Sequence, residues 1–287
     1  MAQVSGAGAA EILVLVVDAG GGHRSAANAL LAAAKAQGVP LELRVESLQE
    51  ILKPIDVFQR VSGRSVEDIY NWLVQSRRTR FLVPLLKIFH AAIYLRRSAM
   101  LKLLEDHLRA RPPALVLSLT PNLNGVIRDA VRRAAPKTPF LILLTDYADF
   151  PPHFWIEPGV DGVIVGSEYA FAQALALGVP HVLKVSGMLL HPRFYAAKSD
   201  PSLLRRELGI PDGAFTLLVL FGGIGSAEVE PLCAALLKES PEWHVVAICG
   251  KNPALEERLR ALAQGSSGRL HPVGFTDRMP EFMASAD

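Results

Sequence analysis

A chain of 287 residues, half of them apolar and a fifth charged, has the composition of a folded globular protein and the length of two ordinary domains, which excludes a disordered or fibrous chain. The net charge of +2 is too small to argue for nucleic-acid binding. The charge is unevenly spread, because residues 53–104 hold ten Lys/Arg against three Asp/Glu and leave the rest of the chain net acidic. Cys233 and Cys249 have neither C-x-x-C nor metal-ligand spacing, which argues against a disulfide or zinc framework and fits a reducing compartment.

The first apolar run, ILVLVV at 12–17, is too short to cross a membrane and lacks the basic flank of a signal peptide. No longer run reaches spanning length, so any meeting with a membrane is expected at its surface. Strand-length apolar runs recur at 41–45, 114–119, 140–145, 162–167, 182–187, 216–221, 244–249 and 269–275. Helical patterns fill 24–37, 123–134, 169–177, 227–239 and 254–264. Uninterrupted apolar strands separated by helices predict parallel sheets covered on both faces, an α/β fold. Residues 188–200 have no clear period and end at Asp200-Pro201, a helix start with proline in the first turn. The chain therefore divides into two Rossmann-like domains, 1–194 and 195–287.

The run 12–17 leads into Asp18-Ala-Gly-Gly-Gly-His-Arg-Ser and then a helix. Gly20, Gly21 and Gly22 allow a sharp turn and close approach of a ligand, and the helix start offers free N–H groups. His23 at that edge is a candidate general base near neutral pH. The plain alternative is a tight turn with a surface histidine. A dinucleotide site is the other rival: Gly20-x-Gly22 is followed by Ser25 where a third glycine belongs, and Glu46 ends the second strand where a ribose-binding acid would stand.

Between the second and third strands, residues 54–104 form a long connection. It holds Trp72, Arg77, Arg78, Arg80, Phe81, Phe89, Tyr94, Arg96 and Arg97, with Leu82, Leu85, Leu86, Phe89 and Ile93 at helical spacings. That is the pattern of an amphipathic helix in an anionic membrane interface. It is equally the pattern of a helical insertion packed on the first domain with a solvated basic face.

The loops in order are Gly20-Gly-Gly-His-Arg-Ser-Ala, Leu144-Thr-Asp-Tyr, Val165-Gly-Ser-Glu, Gly187 with His191-Pro-Arg-Phe, Leu220-Phe-Gly-Gly-Ile-Gly, Ile248-Cys-Gly-Lys-Asn, and Val273-Gly-Phe with Met279-Pro-Glu-Phe-Met. Over roughly residues 11–287 this series resembles the monogalactosyldiacylglycerol synthases and the processive diacylglycerol glucosyltransferases, with the peptidoglycan N-acetylglucosaminyltransferase that makes lipid II as a more distant relative. The resemblance implies a GT-B fold whose first domain takes a lipid acceptor at an anionic membrane surface and whose second binds a UDP-sugar. It implies an inverting hexosyl transfer to a lipid such as diacylglycerol, without a metal or other cofactor and without nucleic acid, by a protein peripheral on the cytoplasmic face of the membrane.

The resemblance makes His23 the base that takes the acceptor hydroxyl proton. Asp146, after the fourth strand, would orient His23 or the acceptor, or would merely cap a turn. Gly222, Gly223, Gly225 and Ser226 would cradle the donor diphosphate, stabilising the leaving nucleotide. Lys251 would reach a phosphate or stand in solvent. The resemblance favours membrane docking for the basic stretch.

Relatives of this kind have a further strand, glycine-rich turn and helix after the position of Asp287 that carry the main donor contacts. The second domain is thus expected to be incomplete at its C-terminus. The order Asp149-Phe-Pro-Pro-His-Phe-Trp also departs from the usual Thr-Asp, His-Pro series and leaves the acceptor open. The competing functions are a catalytically incomplete membrane-binding fragment, a sugar-nucleotide epimerase-like enzyme and a nicotinamide-dependent oxidoreductase.

Overall fold

The structure, a computed structural model, describes residues 10–17, 22–55, 72, 82–151, 153–195 and 200–287, with backbone alone for 82–89. Two compact units are present: among the described residues the first runs up to His191 apart from Trp72 and residues 82–84, which group with the second, Pro192–Asp287.

The first unit is built on β1 (Ala10–Val16), β2 (Leu41–Ser47), β3 (Leu115–Leu119), β4 (Phe140–Leu143), β5 (Gly162–Val165) and β6 (Val182–Lys184). They form one parallel sheet in the order β2-β1-β3-β4-β5-β6. The central strands are apolar without alternation because both of their faces are covered: Leu13, Val14, Leu15 and Val16 are all buried. Helix α1 (Gly22–Ala36) lies close on the sheet through the small buried side chains Ala26, Ala27 and Ala29. A short α2 (Leu48–Leu52) and a 3₁₀ turn (Lys53–Ile55) follow β2.

β2 is an edge strand and is charged accordingly. Arg44 bonds Glu11 at 2.8 Å and pairs with Glu46, which in turn meets His107 Nε2 at 2.5 Å. Glu46 is thus tied into an ion network rather than presented to a ribose, which removes the main support for the dinucleotide reading.

Helix α3 (Leu82–Ala110) carries part of the long connection between β2 and β3. Ile93, Leu101, Leu104 and Leu108 are buried at helical spacings, so from Ile93 onward its apolar side is turned to the protein body. Helices α4 (Asn124–Ala134) and α5 (Glu168–Ala176) complete the first unit. Ser167 caps α5 by accepting the Ala170 N–H at 3.1 Å.

The second unit contains α6 (Pro201–Glu207), β7 (Thr216–Leu220), α7 (Val229–Glu239), β8 (His244–Ile248), α8 (Pro253–Gln264), β9 (Leu270–Val273) and α9 (Met279–Ala284). Its three strands are parallel, in the order β7-β8-β9. Asp200 caps α6 through the Ser202 N–H, as the Asp-Pro pair predicts. Val245, Ala247, Cys249, Leu255 and Leu259 form its core. Both cysteines are free and buried, and burial pushes the Cys233 thiol up to about 12 and the Cys249 thiol up to about 11, so neither is a reactive thiolate at neutral pH.

His244 and His271 stack across β8 and β9, with ring centroids 5.4 Å apart and His244 Nδ1 3.1 Å from His271 Nε2. Burial lowers both pKa values, helped by Arg269 at His244 and by His244 at His271. As pH falls, the unfolded chain, whose histidines titrate near 6.5, binds protons before the folded unit does. The stabilisation is complete above that value and is lost as pH drops through it toward the lower folded values. Denaturant midpoints taken between about pH 7.5 and about 5.5 are expected to fall with acidity, and His271→Gln is expected to flatten the fall. An equal slope in the variant would exclude the pair as its source.

Candidate functional site

The loops after β3 and β4 and the start of α1 lie at the carboxyl ends of the strands of the first sheet. The chain leaves β1 for β2 on one side and reaches β3 on the other, so a crevice opens there, the usual ligand position in such sheets. His23 stands in the first turn of α1 at that edge and is half-buried. Gly22 opens the same helix, while Gly20 and Gly21 lie outside the described residues.

His23 Nδ1 is 3.0 Å from Thr145 Oγ1, and Nε2 has no hydrogen-bond partner among the described residues. The ring meets Trp155 edge-on, with centroids 5.5 Å apart and planes at 61°. Trp155 Nε1 donates to Asp146 Oδ2 at 2.8 Å. Asp146 therefore reaches His23 through its charge and not through a hydrogen bond. Burial lowers the His23 pKa and the Asp146 charge opposes that, so the ring stays neutral and basic at neutral pH.

Trp155 is fully buried and held at both ends of its peptide unit. Its N–H donates to Asp149 Oδ1 at 2.7 Å, and its carbonyl accepts from Asn124 Nδ2 at 2.8 Å. Asp149 also accepts the His153 N–H at 3.0 Å, and Asn124 closes on Ser118 and the Thr120 carbonyl. Asp149, His153 and Trp155, from the stretch of unusual residue order, are thus joined by hydrogen bonds that set the tryptophan against the histidine. Thr145, Asp149 and Trp155 stand in motif stretches read from the sequence but without a site role there, and Asn124 was not among the residues singled out. The available signal was a hydroxyl residue beside Asp146 at a strand end.

In the second unit the loops after β7 and β8 interlock. Lys251 N–H donates to the Gly223 carbonyl at 2.9 Å, and Gly222 and Gly225 have φ of +62° and +68°. Gly222 and Gly223 are exposed and Gly225 is buried. Ser226 is buried and its hydroxyl accepts the Glu228 N–H at 3.3 Å, so it shapes the loop from inside. Helix α7 begins three residues beyond Ser226. The Lys251 ammonium lies 4.9 Å from the Phe275 ring centroid, a cation on an aromatic face rather than a free lysine. Asn252 caps α8 through the Leu255 N–H at 3.1 Å.

Of the expected membrane residues, Arg77, Arg78, Arg80 and Phe81 lie outside the described residues. Trp72 is exposed, as is Arg96. Arg97 is half-buried and pairs with Asp129 of α4, so it faces the protein, as does Ile93. The outward side of α3 instead presents Tyr94 and Leu95, 80% and 79% exposed. Among the described residues no helix is long and apolar enough to cross a membrane, and no group of three or more His, Cys, Asp or Glu is arranged to hold a metal ion.

Two parallel α/β units with glycine-rich loops at the strand ends define the GT-B class. Solved structures bear this out: the chain matches a glycosyltransferase from Rickettsia africae (12% identity, TM-score 0.55, 97% of this chain and 72% of that one). It also matches the UDP-GlcNAc 2-epimerase from Neisseria meningitidis bound to UDP-GlcNAc (12% identity, TM-score 0.52, 96% and 75%). Within that class the resemblance drawn from the loops holds over nearly the whole chain. It is 26% identical to the processive diacylglycerol beta-glucosyltransferase of Bacillus pumilus over 294 residues, 96% of this chain and 70% of that protein. It is 26% identical to the probable chloroplastic monogalactosyldiacylglycerol synthase 2 of Oryza sativa subsp. indica over 98% of this chain and 61% of that protein. The chain thus spans roughly two thirds of these relatives' length. No family model matches it.

Proposed function

We propose that this chain acts in inverting transfer of a hexose from a UDP-sugar to the hydroxyl of a membrane lipid such as diacylglycerol. The observation that carries the reading is His23: a neutral imidazole at the carboxyl edge of the first sheet, bonded at Nδ1 and without a described partner at Nε2. Its Nε2 takes the acceptor hydroxyl proton as that oxygen forms the bond to the anomeric carbon. The bond from that carbon to the diphosphate oxygen breaks with its electron pair, and UDP leaves from the opposite face, which inverts the centre. Backbone N–H groups of the Gly222–Ser226 loop are suited to the diphosphate, whose charge grows as it leaves. Lys251 would leave the Phe275 ring to meet it. Peripheral docking on anionic membrane is part of the same proposal. Tyr94 and Leu95 would enter the interface with Arg96 beside them, apolar and cationic side chains exposed on the same helix.

The likeness to an epimerase structure keeps a sugar-nucleotide epimerase as the second reading. Transfer from labelled UDP-glucose and UDP-galactose to diacylglycerol in anionic vesicles tests the first, and interconversion of UDP-GlcNAc with its 2-epimer tests the second. Glycolipid product without epimerisation is expected. Epimer without glycolipid would overturn the proposal. Vesicle binding with neither product would reduce the chain to a docking module.

A further inference from the structure

Three residues around His23 divide its work in a way the loops alone do not reveal. We infer that Thr145, rather than Asp146, is the positioning residue of the base: its hydroxyl holds His23 in the tautomer with hydrogen on Nδ1 and so leaves the Nε2 lone pair for the reaction. The role assigned to the tautomer rests on the transfer reading above.

The geometry supports this in three ways. First, the one hydrogen bond that His23 makes among the described residues is Nδ1 to Thr145 Oγ1, at 3.0 Å, and the tautomer of an imidazole is set by such a bond. A hydroxyl can donate or accept, so the neutral state alone leaves the direction open. After His23 has taken a proton, however, both ring nitrogens are donors, and Thr145 has to accept. If it already accepts beforehand, proton transfer at Nε2 needs no rotation of the hydroxyl. The opposite arrangement puts hydrogen on Nε2 and leaves no base there.

Second, Asp146 is committed elsewhere. Its Oδ2 accepts the Trp155 indole N–H at 2.8 Å, so its carboxylate influences His23 through space. Third, rotation of the imidazole is hindered by Trp155, which meets it edge-on and is itself pinned through Asp149 and Asn124. A ring hindered on one side and bonded at Nδ1 on another presents Nε2 in one direction. Trp155 supplies the wall, Asp146 the charge and Thr145 the choice of nitrogen.

The test reads the tautomer directly. In ¹⁵N-histidine-labelled protein, the protonated and bare ring nitrogens give well-separated signals, and those of His23 are found by their loss in His23→Gln. At about pH 8, above the usual histidine value of about 6.5, the native chain is expected to show the Nδ1–H form. Thr145→Val is expected to move it to the Nε2–H form, and Thr145→Ser to keep Nδ1–H. An Nε2–H signal in the native chain, or an Nδ1–H signal that survives Thr145→Val, would overturn the inference. The native measurement decides even where the valine variant fails to fold. No substrate is needed, so failure here is separable from failure of the transfer reading.

The kinetic arm then asks whether the tautomer matters. Thr145→Val is expected to lower kcat about 10- to 100-fold, the loss typical when the hydrogen-bond partner of a metal-bound histidine is removed, with KM for the UDP-sugar unchanged and Thr145→Ser restoring most of the rate. A tautomer that switches while kcat stays native would overturn the positioning role.

Discussion

Replacing His23 by alanine is expected to lower sugar-transfer turnover by about 10²–10⁴-fold, the usual contribution of a general base, while leaving vesicle binding and the fold intact. The side chain ends in one hydrogen bond and one aromatic contact, so its removal leaves few groups unsatisfied. Vesicle binding is proposed for the outward side of α3, which does not include the imidazole. The pH profile carries a second signature. Burial lowers the His23 pKa, and a base must be neutral to work, so activity should persist below the ordinary histidine value and fade only as pH drops through the depressed one. Asp146→Asn removes the charge that opposes that depression and should move the acid limb further down. Turnover of His23→Ala within a few-fold of native would eliminate it as the base. Movement of the Asp146→Asn limb toward higher pH would show that the carboxylate acts otherwise.

Gly225→Ala is expected to abolish measurable UDP-sugar binding and to destabilise the second unit by about 1–3 kcal/mol or more, the range for a strained backbone combined with overpacking. Gly225 has φ of +68°, where a side chain is strained, and a Cβ there would fall 2.0 Å from the Cys249 carbonyl oxygen. That carbonyl cannot easily withdraw. The Cys249 N–H is bonded to the Val273 carbonyl at 2.7 Å, and Gly250 packs back on Gly223. The loop itself has to move, and the backbone N–H groups proposed for the diphosphate move with it. Gly223→Ala is the contrast: a Cβ there meets nothing within 4 Å, so the denaturant midpoint should stay near native. Calorimetric titration with UDP-sugar and denaturant unfolding read both effects. Native affinity in Gly225→Ala would separate the loop from the donor.

The sequence was informative wherever the governing physics is local. Uninterrupted apolar runs require strands covered on both faces, and β1 to β9 each fall within or overlap the expected runs. Asp200-Pro201 starts a helix because the cap and the fixed proline φ act within one turn. The order of the glycine loops carried the resemblance to diacylglycerol glycosyltransferases, since each loop must bring backbone close to a neighbour or ligand. The short helix α2, of five residues, lacked enough periodicity to stand out.

Side-chain partnership was decided by the tertiary structure. Asp146 lies next to Thr145 in sequence, and an acid is the more obvious partner for a histidine. Yet Trp155, nine residues on, captures the carboxylate and leaves the hydroxyl to His23. Glu46 ends β2 where a ribose-binding acid would stand, but Arg44 and His107 hold it. On α3, period alone could not say which side meets the protein. The fold settles that by burying Ile93 and pairing Arg97 with Asp129 of α4, which leaves Tyr94 and Leu95 outside. Periodicity within one element fixes which residues share a face. The choice of partner for that face, and for each polar group on it, depends on residues distant in sequence that only folding brings together.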